Sequence, residues 1–119
     1  MTDKTKTIDF TTIEQGDFSG IRKGFQNLIT ESKDWQDFWQ QHKSSQQPPP
    51  PVPDVDFTKY QVATVFAGEK GSGGYSVEIM GVSREDGAIS LKVNYTMLVE
   101  GGAIASLTQP FHIIQIPQA

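Results

Sequence analysis

The chain contains no cysteine, which excludes disulfides, thiolate metal ligands and a cysteine nucleophile in one step. Apolar runs never exceed a few residues, so no segment reads as a membrane span. Histidine is scarce: His42 and His112 are the only two, and acid–base chemistry near neutral pH most often rests on that residue. Positive charge is short as well, with 10 Lys and Arg against 14 Asp and Glu and a net charge of -4. The basic residues form no stripe that could track phosphates, which argues against nucleic acid as a partner. The opening Met1–Lys6 is polar and has no apolar h-region. It reads as a start without a secretory signal peptide and predicts a cytoplasmic location, or export if a leader has been trimmed.

Glycine is plentiful, and its placement carries the most information. Gly68–Ile79 reads Gly-Glu-Lys-Gly-Ser-Gly-Gly-Tyr-Ser-Val-Glu-Ile. Before it, Gln61–Ala67 is β-branched and aromatic without charge; after it, Tyr75–Val82 alternates polar and apolar. Glycine supplies positive φ and close backbone approach, so this is a long hairpin loop between two strands. A phosphate cradle needs Gly-Lys-Ser/Thr opening a helix; here Lys70 precedes the glycines and a strand follows. No βαβ unit surrounds the loop, as a dinucleotide site requires. Gly71-Ser72-Gly73 resembles half of a nucleophile elbow, but Lys70 stands where the first glycine belongs and the strand-to-helix turn is missing.

At 119 residues the chain is one domain by length. Residues 1–6 are expected to fray and 7–29 to hold leading strands, Thr7–Glu14 and more weakly Gly24–Ile29. Residues 30–43 form the one convincing helix, capped by Thr30 or Ser32. Trp35, Phe38, Trp39 and His42 recur on one face of it at i, i+3, i+4 and i+7. That face is either a partner-binding stripe or the anchor that docks the helix on a sheet, and the size of the aromatics favours the anchor. Residues 44–60 hold Pro48–Pro51 and Pro53, a stiff connector rather than an SH3-type ligand, since no arginine flanks the prolines. Residues 61–119 are a run of strands. In Ile89–Met97 the residues Ile89, Leu91, Val93, Tyr95 and Met97 point one way, as in a half-buried strand. Asp86-Gly87 marks a hairpin turn, and Val99–Leu107, with Gly101-Gly102, reads as a loop. The fold class is mainly β (α+β): an antiparallel β-sandwich or strongly bent sheet with one principal helix packed against it.

Metal chemistry has little to work with. Asp54 and Asp56 could join His112 around a hard cation only if further oxygens converged, and a turn role suits the aspartates better. No cofactor is expected.

The order of features is nonetheless distinctive. Trp35-x-x-Phe38-Trp39, the proline connector, Val55-Asp56-Phe57, Val65-Phe66-Ala67-Gly68-Glu69-Lys70, Gly73-Gly74-Tyr75-Ser76-Val77-Glu78-Ile79 and Thr108-Gln109-Pro110-Phe111-His112 follow one another. This resembles the C-terminal domain of the protease complex subunit PrcB family over roughly residues 55–116. The resemblance implies a noncatalytic bacterial subunit, often exported or lipid-anchored, that associates with a protease. It also implies a proline-centred turn near Met97 or Leu98, which this chain lacks. A more distant likeness is to chagasin-type peptidase inhibitors, which present three loops from a β-sandwich; Gly71–Gly74, Glu100–Gly102 and Gln109-Pro110-Phe111 occur in the matching order.

The leading expectation is therefore a protein-binding module that attaches to, or inhibits, a peptidase through loops 68–74, 98–104 and 108–112. Its candidate contact residues are Lys70, Gly71, Ser72, Gly73, Gly74, Tyr75, Gln109 and Phe111. The alternatives are a scaffold docking through the Trp35 and Trp39 face, and a metal-assisted hydrolase built on Asp54, Asp56 and His112.

Overall fold

The computed structural model describes residues 6–46, 48, 50–71, 74–97 and 107–118. Seven strands and one helix follow in the order β1 (Lys6–Ile8), β2 (Thr11–Gly16), β3 (Gly24–Ile29), α1 (Ser32–His42), β4 (Tyr60–Ala67), β5 (Tyr75–Glu85), β6 (Ala88–Met97) and β7 (Phe111–Pro117). They make two antiparallel sheets: three strands in the order β1-β5-β6, and four in the order β2-β7-β4-β3. The expected sandwich with one packed helix is what forms.

Period-two alternation explains the layers. In β4, Ala63 and Val65 face the three-stranded sheet and join Val77, Ile79, Val82, Ile114 and Ile116 in an inter-sheet core. Their neighbours Val62 and Phe66 face the other way, into a second core with Ile29, Phe111, Ile113 and the helix residues Trp35, Phe38 and Trp39. Because both faces are covered, β4 is apolar from Val62 to Ala67 except for the buried Thr64, rather than alternating with a polar face. The aromatic stripe of α1 is thus the anchor. Trp35 and Trp39 are 2 % and 4 % exposed, and their indole N–H groups donate to the carbonyls of Pro53 (2.8 Å) and Pro50 (3.3 Å). The proline connector is strapped along the helix it follows. A scaffold reading that needs this face for a partner loses its surface.

Several sequence expectations are corrected. Thr7–Glu14 is not one strand: the chain leaves the three-stranded sheet after Ile8 and enters the four-stranded sheet at Thr11. The helix N-cap is Glu31, without a side-chain capping bond, while Ser32 Oγ instead accepts from Gln36 Nε2. β2 and β3 flank the central β7–β4 pair, and β1 pairs with β5. The β5–β6 hairpin turns on Asp86 and Gly87, both at positive φ (50° and 82°), as a two-residue type I′ turn needs.

The two sheets are unequal, and this positions the site. β5 packs over β4 and β7, so the three-stranded sheet ends at β6 while the four-stranded sheet continues to β3. The register Gly24↔Ala67, Gln26↔Val65 and Leu28↔Ala63 puts Gly24, Gln26 and Leu28 on the face that should be covered by the other sheet. Gln26 is exposed and Leu28 is 41 % exposed.

Candidate binding cleft and its support

Three chain segments converge at one end of the sandwich. Lys70 and Thr108 exchange backbone hydrogen bonds of 2.8 and 2.9 Å, an isolated antiparallel bridge. Gln109 N–H donates to Asp17 O, Glu69 N–H donates to Arg22 O, and Gln109 Nε2 donates to Glu69 Oε2 at 2.8 Å. Two of the three loops read from the sequence, 68–74 and 108–112, therefore lie side by side. The third, 98–104, falls outside the described residues, as do Ser72 and Gly73.

Of the remaining candidates, Lys70 and Tyr75 act together: Lys70 Nζ sits over the Tyr75 ring, 5.4 Å from its centroid, a favourable cation–π placement. Gly71 is exposed, with open space where a Cβ would be. Gly74 is buried. Gln109 is a positioning residue, since its Oε1 also accepts Ser19 N–H at 3.0 Å. Phe111 is corrected to a core residue: it is 2 % exposed and packs on His42 and Phe66. Its parity in β7 turns it toward the helix, which the motif alone could not reveal.

Lys70 and Tyr75 open onto a cleft of about 480 Å³ lined also by Phe25, Gln26, Tyr95 and Met97. A second cavity of about 240 Å³ follows along the same seam, lined by Gln26, Leu28, Ala63, Ile89 and Leu91. Tyr95 and Met97 were expected to lie on the covered side of the strand, and they do share the face of Val77 and Tyr75. They are nonetheless 57 % and 53 % exposed, because at this edge they border the open cleft between β6 and β3. Sequence reasoning missed Phe25, Gln26 and Leu28; the one hint was that Gly24–Ile29 is a weak strand with polar residues at positions facing a core.

His112 and Asp56, the candidates for metal-assisted chemistry, are engaged within the fold. His112 Nδ1 accepts Ile79 N–H at 2.8 Å, and its Nε2 lies 2.8 Å from Thr12 Oγ1. Burial holds its pKa below the ordinary 6.5 against a weaker upward pull from Glu78. Asp56 Oδ1 accepts from both Thr58 N (3.0 Å) and Thr58 Oγ1 (2.6 Å), and those bonds lower its pKa. This is a turn. Among the described residues no group of three His, Cys, Asp or Glu could hold a metal ion.

A bulge between Thr12 and Glu14 in β2 aims Glu14 at the helix end. His42 Nε2 is 2.6 Å from Glu14 Oε1, His42 Nδ1 is 2.7 Å from Ser19 Oγ, and Lys43 Nζ is 2.7 Å from Glu14 Oε2. The Ser–His–Glu order has the connectivity of a hydrolase relay. Yet Ser19 is only 6 % exposed and its Oγ accepts Ile21 N–H at 3.0 Å, so the hydroxyl is engaged inside the fold. The cluster fastens the β2–β3 connection to the end of α1. Burial lowers the His42 pKa, opposed by Glu14. For Glu14, burial raises the pKa, but hydrogen bonds from Lys43 and His42 outweigh it and the net direction is down.

Fold and site together define a small antiparallel β-sandwich that presents an apolar cleft with one cation at its end. Residues 62–117 match the family described as PrcB C-terminal, and the resemblance read from the sequence is borne out over this stretch, from within β4 to the end of β7. No curated protein and no solved structure matches the chain. Among the described residues no helix is long and apolar enough to cross a membrane.

Proposed function

We propose that this chain is a noncatalytic protein-binding module, a subunit or inhibitor that attaches to a peptidase. The observation that carries this reading is the cleft of about 480 Å³ joining Lys70 and Tyr75 to Tyr95, Met97 and Gln26. It combines exposed aromatic and Met side chains with a cation on a rigid frame, the composition that dominates protein recognition surfaces. The PrcB C-terminal match supports association with a protease complex.

Affinity capture from the source organism tests it, with wild-type protein and a folded Lys70→Ala/Tyr75→Ala variant run in parallel. A peptidase or peptidase-associated protein retained by the wild type and lost by the variant is expected. A retained set identical for both proteins counts against the cleft as the recognition surface.

A further inference from the structure

The two sheets part at one edge. β6 is the last strand of its sheet and β3 the last of the other, and the inward face of β3 is left open there, with Gln26 exposed and Leu28 41 % exposed. Leu28 and Gln26 on β3 face this opening from one layer; Ile89 and Leu91 on β6 border it from the other. Among the described residues nothing pairs with the outer edge of β6, although its ten residues alternate regularly and include no proline. Long regular edges of this kind are normally protected, because their free N–H and C=O groups template another strand.

Resting on the protein-binding reading, we propose that an extended segment of the partner protein adds to the outer edge of β6 and covers the exposed inward face of β3. Its apolar side chains enter the seam against Leu28 and Leu91, and a carboxylate at one end meets Lys70. Strand addition of this type draws affinity from main-chain hydrogen bonds and specificity from alternate side chains. The charge requirement follows from the lining: among the described residues Lys70 is the only charged one along the two cavities, and no carboxylate among them pairs with it. A second copy of this chain does not fit. Pairing β6 with its counterpart would bring the second copy's own four-stranded sheet into the layer β3 already occupies.

The test is selection from a displayed library of random peptides long enough to run the length of β6, against the full chain. The expected sequences alternate apolar and polar residues, lack internal proline and carry Asp or Glu toward one end. Leu28→Asp should weaken a selected peptide at least about tenfold, with thermal melting confirming the fold. Tyr95→Asp serves the same purpose if Leu28→Asp does not fold. Lys70→Ala should weaken acidic peptides and leave their amide analogues unchanged. N-methylation along the peptide should abolish binding at every second residue, since alternate N–H groups point to β6. Failure to select any peptide, insensitivity to both seam variants, or N-methyl losses without that period would each overturn strand addition. So would a dimer of this chain in solution that Leu28→Asp dissociates. A captured partner lost by Lys70→Ala/Tyr75→Ala but retained by Leu28→Asp would overturn strand addition and leave the protein-binding reading standing.

Discussion

The imidazole Nδ1 of His112, on β7, accepts the backbone N–H of Ile79, on β5, across 2.8 Å, so one side chain hydrogen-bonds the two sheets together. The bond lies where β5 shifts register between Ile79 and Gly81, and it satisfies an N–H that the irregular ladder would leave buried. It requires Nδ1 to be unprotonated and assigns the proton to Nε2, which then donates to Thr12 Oγ1.

Stability should therefore fall in mild acid. Burial depresses the pKa values of His112 and His42 below 6.5, so the unfolded chain takes up protons first as pH falls through that value. The contribution is present above 6.5 and is lost as pH drops toward the depressed native values. Thermal midpoints measured from pH 8 to 5 should decline below 6.5, and His112→Gln should flatten the decline. A midpoint that rises with acidification over this range would contradict the assignment.

Glu14 holds two groups at once, and Lys43 has its ammonium in a side chain only 11 % exposed. Glu14→Gln should cost on the order of 2–4 kcal/mol in urea unfolding, because it leaves a poorly solvated cation without its counter-charge. Pairing it with Lys43→Met should recover part of the loss. Equal costs with and without Lys43 would show that the pair is not coupled.

Gly20 lies against the end of α1, its N–H donating to His42 O at 2.8 Å. A Cβ there would overlap Ser44 Oγ and stand 2.5 Å from Gln41 O. The serine can rotate; the helix carbonyl cannot. Gly20→Ala should lower stability by about 2 kcal/mol or more, checked by chemical denaturation.

Thr64 is fully buried, and its Oγ1, on the face of β4 that carries Val62 and Phe66, has no hydrogen-bond partner among the described residues. Replacing the hydroxyl by a methyl group keeps the shape and removes a desolvated polar atom. Thr64→Val should raise stability by about 1 kcal/mol. A loss of similar size would reveal a partner for that hydroxyl in solution.

Much of this was legible in the chain. The helix, the β4 run and the Asp86-Gly87 hairpin all follow from local periodicity and turn chemistry, whereas the contact between the Lys70 and Gln109 loops is a long-range pairing that only the fold supplies. Phe111 was not legible as core, because alternation assigns a side chain to a face without saying which face is covered. Glu14 gave no signal either: its role depends on the bulge that turns it toward the helix.

The sequence by itself determined the elements, since period 3.6, period 2 and glycine placement are properties of neighbouring residues. Only the tertiary structure decided that a three-stranded sheet faces a four-stranded one and that their edge strands β6 and β3 part around a cleft. That arrangement arises from pairings between segments as distant as β1 with β5 and β2 with β7, which no local window contains. It leaves Leu28, Tyr95 and Met97 in solvent on faces their periodicity assigns to the core, where they form the cleft.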